Sequence, residues 1–191
     1  MQEEMSMSKK DLLEIIGAFP EQEIENIILS AVREKFFNGD WGTADSIVDY
    51  ILAGKTNENF RGQIANFGIF IAARARDLKK ALDRYNYLAA LDASEKNICL
   101  KADGLFNLSD LLLPDEIYLL AQLWQKALCS GLPQIAQEKY ARLGALLCEQ
   151  FSKIHDIPNH VKIINLMQQN LDSRICAEIC RQFDIPHRKN D

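Results

Sequence analysis

The chain has 191 residues, 48% hydrophobic and 26% charged, which excludes wholesale disorder and is long enough to bury a core within one domain. Its formal net charge of −5 argues against a general nucleic-acid or anionic-membrane binder, although the charge is uneven: −7 over residues 1–60, +4 over 61–101 and −2 beyond. Five cysteines without framework spacing, a polar first decapeptide and no run of eighteen apolar residues set the expectation of a reducing, cytoplasmic setting and no membrane insertion.

Residues 1–7 read as a lead-in, after which Ser8 can cap a short helix bearing Leu12, Leu13, Ile15 and Ile16 up to Gly17. Pro20 stands at a first helical position, with Glu21, Glu23 and Glu25 in the opening turns, where the helix dipole favours anions. Ile24, Ile27, Ile28, Ala31, Val32 and Phe36 then recur at spacings of three and four until Asn38-Gly39 stops the helix. Thr43 is expected to cap the next one, striped by Ala44, Ile47, Val48, Ile51 and Leu52. A third helix over 59–75 is apolar nearly all round, so neighbours should sandwich it, and Gly62 and Gly68 would let a backbone come close. Its partner over 78–92 is expected to carry Leu78, Ala81, Leu82, Tyr85, Leu88 and Ala89 inward.

Past Ser94 the pattern predicts a helix over 95–107, a turn at Asn107-Leu108-Ser109-Asp110 and a short apolar run at Leu111 to Leu113. Pro114 opens a helix holding Ile117, Leu120, Ala121, Trp124 and Leu128, which Ser130-Gly131 ends. Pro133 restarts the chain, and Ile135, Ala136, Tyr140, Leu143 and Leu147 mark a long helix toward Phe151. Two shorter helices over 159–171 and 173–183 are expected to cap the array, with a polar tail at 184–191. No stretch alternates in strand fashion, so the chain reads as all-α, a single domain of about nine to ten helices.

An internal repeat runs through the first half. Asp40-Trp41-Gly42-Thr43-Ala44 and Asp77-Leu78-Lys79-Lys80-Ala81 stand thirty-seven positions apart, and at that offset Ile27 meets Ile64, Val32 meets Ile69 and Tyr50 meets Tyr87. A small residue early in the second helix, a Gly-Asp turn before it and a period near thirty-five residues resemble a tetratricopeptide-type repeat. The resemblance is clearest over 22–93, where two units fit. A looser third unit is read over 115–150, with Ala136 as the counterpart of Ala44 and Ala81. The family's glycine in the first helix is replaced by Val32, Ile69 and Trp124, and no proline closes the first two units.

The resemblance implies antiparallel helical hairpins wound into a right-handed superhelix. It implies a non-enzymatic adaptor, scaffold or chaperone-like module whose concave groove holds a protein or peptide segment. Carried over by position, the groove residues would be Asn26, Leu29, Arg33 and Phe37, then Gln63, Asn66, Phe70 and Arg74, then Tyr118, Ala121, Gln125 and Cys129. A homodimer is compatible with this reading, and no cofactor or metal is required by it.

Two other constellations compete. Arg74, Arg76, Lys79, Lys80 and Arg84 form a basic cluster that would suit nucleic acid or an acidic peptide, against the plainer reading of a solvated face with cations at a helix C-terminus. His155, His160 and His187, with Cys176 and Cys180 on one helical face, are candidate metal ligands of a helical-bundle enzyme or metal protein. Their spacing matches no finger or ribbon, and Asp-Ile-Pro after a helix is a stop signal, so structural roles are expected. No phosphate-loop, nucleophile-elbow, dinucleotide or zincin signature occurs, and no catalytic residue is assigned.

Overall fold

The computed structural model describes residues 21–54, 57–92, 94–113, 115–128 and 132–185, without the side chains of 21–24 and 59. Nine α-helices and no strand occur among them: α1 Glu21–Phe37, α2 Trp41–Ala53, α3 Glu58–Arg74, α4 Leu78–Ala90, α5 Glu95–Leu112, α6 Ile117–Leu128, α7 Gln134–Lys153, α8 Ile157–Asn170 and α9 Ser173–Gln182. The readings at Ser8, Leu12 to Gly17, Pro20, Pro114, Cys129, Ser130-Gly131 and His187 lie outside the described residues.

One turn device is used three times between helices. Gly39, Arg76 and His155 take positive φ of 83°, 59° and 58°. The next amide then reaches back over the helix end, Asp40 N to Lys35 O at 2.9 Å, Asp77 N to Ala72 O at 2.9 Å and Asp156 N to Phe151 O at 2.8 Å. This double closure satisfies carbonyls that a helix end would otherwise leave bare. The same aspartate caps the following helix: Asp40 accepts from Thr43 N at 3.3 Å, Asp77 from Lys80 N at 3.0 Å and Asp156 from Asn159 N at 3.2 Å. Asp40, rather than Thr43, therefore caps α2, because the turn has already placed its carboxylate over the orphan amides. Three hairpins result, α1–α2, α3–α4 and α7–α8.

The helices stack in two rows. Among the described residues α3 packs on α5, α5 on α7 and α7 on α9, with α1 set more loosely against α3; the even-numbered helices lie in the notches and make no comparable contact with one another. Glycines show how tightly odd helices are seated. A Cβ added at Gly68 would stand 2.7 Å from Val48 of α2 and 2.9 Å from Arg84 of α4, and one at Gly144 would stand 2.9 Å from Trp124 of α6 and 2.6 Å from Met167 of α8. Each of these odd helices is thus wedged between two even ones at a residue without a side chain.

Two expectations change. The third helix of the row, α5, does not stop at Asn107 but continues to Leu112, because Ala102, Leu105, Leu108 and Leu112 keep one buried stripe across the turn-forming residues. Those residues spend their side chains elsewhere, Ser109 Oγ on Phe106 O at 2.7 Å and Asn107 Nδ2 on Asn66 Oδ1 at 3.1 Å. In consequence the phase of the array differs from the one read over 115–150. α6 takes the even place after α5, and Ala136, in the first turn of the odd helix α7, is buried without being the positional counterpart of Ala44 and Ala81.

The buried side chains form two clusters. The larger runs from Ala65, Ile69 and Ala72 of α3 through α9, and the smaller joins α1 and α2 to Phe60, Ile64 and Ile71 on another face of α3. The apolar-all-round helix is therefore shared by both cores, as its composition required.

Candidate functional site

The odd-numbered row presents a furrow. Its walls are Asn66 on α3, Asp103, Phe106 and Asn107 on α5, and Ile135, Glu138, Lys139 and Arg142 on α7, enclosing about 460 Å³. On α5 and α7 these positions fall at spacings of three and four, so each of the two sets is one stripe of one face.

Two further hollows border it. One of about 350 Å³ lies at the C-terminal ends of α3 and α5, lined by Ala73, Arg74, Arg76 and Asp110. Another of about 330 Å³ runs between α7 and α9, where Glu138, which also walls the furrow, faces Arg174, Ile175, Glu178, Ile179 and Gln182.

The furrow combines apolar and polar groups. Phe106 is 40% and Ile135 69% exposed, two of the nine large hydrophobic side chains exposed among the described residues, and the furrow brings these two together. Around them the Asn66–Asn107 amide pair keeps free donor and acceptor capacity. The charges are mutually compensated: Lys139 pairs with Asp103, and Arg142 reaches Glu138 Oε1 through Nε at 3.1 Å and Nη2 at 2.8 Å. The surface is electrically patterned rather than strongly signed.

Among the residues assigned to a groove from sequence, Asn66 lines the furrow, and Phe70 and Arg74 continue its α3 wall, the Arg74 guanidinium lying 5.2 Å from the centre of the Phe70 ring. Gln63 is half-buried on α3, while Asn26 and Arg33 are exposed on α1. Tyr118 and Gln125 belong to α6 in the other row, so the structure does not bring them to this face. Tyr118 instead donates to Asp156 Oδ2 at 2.9 Å, a bond that holds its hydroxyl above its ordinary pKa, and packs against Phe151. Asp103, Phe106, Asn107, Ile135, Glu138, Lys139 and Arg142 were missed, because reading the third unit over 115–150 put α6 on the groove face in place of α5 and α7. Gly68, Gly104 and Gly144, at comparable intervals on successive odd helices, are the signal that would have set the phase.

The basic cluster divides. Arg74, Arg76 and Lys79 are exposed, but Arg84 is 3% exposed and Lys80 is half-buried. Arg84 donates from Nη1 to Gly68 O at 2.7 Å and from Nη2 to Asp49 Oδ1 at 2.6 Å, with Asp45 Oδ1 also 2.6 Å from Nη2. Lys80 pairs with Asp45 and lies 3.3 Å from Asp49. Asp45 and Asp49 therefore neutralise two of the five cations.

Among the described residues, His155, His160 and three of the cysteines have structural places. His155 is the left-handed residue ending α7, and His160 Nδ1 lies 2.8 Å from Ser152 Oγ and 3.1 Å from Cys148 O. Cys148, Cys176 and Cys180 are buried together, and burial raises the pKa of all three thiols. Among the described residues no three His, Cys, Asp or Glu side chains converge as a metal site, and no helix is long and apolar enough to cross a membrane. Compared with known proteins, the chain matches no family model, no curated protein and no solved structure.

Proposed function

We propose that the chain is a non-enzymatic protein-interaction module of tetratricopeptide-like type that holds a segment of a protein partner across α3, α5 and α7. The observation that carries this reading is the furrow of about 460 Å³ in which Phe106 and Ile135 stand exposed between amides and internally paired charges. Apolar anchors of that kind release water when covered, the amides fix register on a partner's backbone, and the paired charges select among partners more than they add affinity. An adaptor, scaffold or chaperone-like role in the cytoplasm belongs to the same proposal. The nucleic-acid alternative is weakened because Lys80 and Arg84, two of the five cations it would use, are already neutralised by Asp45 and Asp49.

The test is site-specific photo-crosslinking in the native cell, with a photoreactive residue at position 106 or, as control, at 118 on the other row. A discrete protein adduct at 106 that is absent at 118 is expected. Phe106→Ala combined with Ile135→Ala should weaken binding of that protein by about 2 kcal/mol, as loss of a central anchor does. Equal adducts at both positions, or unchanged affinity of the double variant, overturns the reading.

A further inference from the structure

The opposite side of the array carries another cavity, independent of the furrow and of the two hollows beside it. It lies between α4 and α6 over α5, where even-numbered helices stand apart, and encloses about 180 Å³. Small side chains keep it open, Ala89 from α4 and Ala127 from α6, while Ile98 and Leu123 supply apolar wall. Two tyrosines line it, Tyr85 and Tyr140, whose residues are only 4% and 1% exposed. Neither hydroxyl has a hydrogen-bond partner among the described residues, and neither is among the polar atoms sealed from solvent, so both open into the cavity. Burial raises the pKa of both, so each stays a neutral donor across the physiological range.

Two tyrosine hydroxyls without a protein partner, on residues this deep in a small cavity, offer hydrogen bonds to a bound group, and Asn86, Lys101 and Lys126 are the other polar residues of the lining. The charge of the lining has one sign. It includes Lys101 and Lys126 and no carboxylate. Lys101 is committed to the carbonyls of Leu91 at 2.7 Å and Asp92 at 3.1 Å, whereas Lys126 has no carboxylate partner among the described residues. A cavity of about 150 Å³ accommodates one benzene ring, so this volume matches a single ring carrying small polar groups. We infer that this cavity is a binding site for a single-ring aryl acid with a ring oxygen, the oxygen meeting Tyr85 and Tyr140, the ring lying between Ala89 and Ala127, and the carboxylate facing Lys126.

The probe is 4-hydroxybenzoate, with phenol as the uncharged comparator, titrated into the full chain and followed by amide chemical shifts. Saturable shifts confined to residues around Ala89, Ile98 and Ala127 are expected. Tyr85→Phe and Tyr140→Phe, which keep the ring and hence the packing, should each weaken binding about tenfold, the loss of one hydrogen bond to a charged or polar group. Lys126→Ala should weaken 4-hydroxybenzoate but leave phenol unchanged. Ala127→Leu, which fills the cavity, should abolish both, and Ala89→Leu serves the same purpose if the first variant melts earlier than wild type. Absence of saturable shifts in wild type, shifts that survive both filling variants, or affinity indifferent to the two tyrosines overturns the assignment.

Discussion

Arg76 holds a left-handed backbone that an L side chain adopts at a cost, while Gly39 holds the equivalent place in the first hairpin without one. Arg76→Gly should therefore raise stability by about 0.5–1 kcal/mol and Gly39→Ala lower it by about 1 kcal/mol, read by denaturant unfolding. A destabilised Arg76→Gly would mean that its long 3.4 Å bond to Asp110 O outweighs the strain. The cysteines give a second residue-scale prediction. Burial, reinforced by the neighbouring thiols, pushes Cys148 and Cys176 up to about 12. Since the thiolate is the reactive form, iodoacetamide at neutral pH should spare Cys148, Cys176 and Cys180 in the native state, with half-buried Cys99 reacting before these three. Mass spectrometry of the alkylated sites decides it, and early labelling at Cys148 would contradict the packing. At this scale the sequence was partly readable. Asp40, Asp77 and Asp156 each follow a helix-ending residue, but a positive φ at an arginine or a histidine leaves no compositional mark, whereas Gly39 does.

Between elements, α2 and α4 are joined by charge rather than by apolar contact alone. Arg84 is buried against Gly68 O and shared by Asp45 and Asp49, so Arg84→Met leaves two carboxylates facing each other without it. Breaking a fully buried ion pair costs about 3–5 kcal/mol, and the 53% exposure of Asp49 discounts that to about 2 kcal/mol. The pH dependence has a definite sign. Burial pushes the Asp49 carboxyl up, but the hydrogen bond and charge of Arg84, with Lys80, outweigh it and hold the group below its ordinary value. Its contribution is thus complete above about pH 4 and lost as pH falls through the lowered value. Acid unfolding of wild type should begin at a pH where Arg84→Met shows no matching dependence; parallel curves for the two would refute the pairing. The extents of α2 to α4 were legible because apolar stripes and stop signals agreed there, although Asp40 and not Thr43 caps α2. The end of α5 was not, because Asn107, Ser109 and Asp110 have turn chemistry in any local reading and only tertiary partners such as Asn66 reveal their use. The furrow's α5 and α7 walls were lost with the phase of the third unit, read over 115–150.

For the whole molecule, stability should be graded along the array. α1 packs on α2 and only loosely on α3, and the α1–α2 core is the smaller of the two clusters, whereas α3, α5 and α7 are held on several sides. Hydrogen exchange should accordingly show α1 and α2 opening at lower free energy than α3 to α7, and uniform protection across the chain would contradict a nearest-neighbour array. The offset of thirty-seven residues announced this architecture, yet it could not say where the phase carried on, since the glycines that mark it lie among unlike neighbours. The wedged glycines also bear on how such a chain can change over generations. A Cβ at Gly104 would come within 3.1 Å of the Ile69 Cδ1 methyl and 3.0 Å of Leu88 Cδ1. Ile69→Val deletes the first of those methyls, so Gly104→Ala should be better tolerated on that background than alone. Each odd helix then constrains which substitutions its neighbour accepts, so the order in which paired replacements are introduced decides whether each step is tolerated.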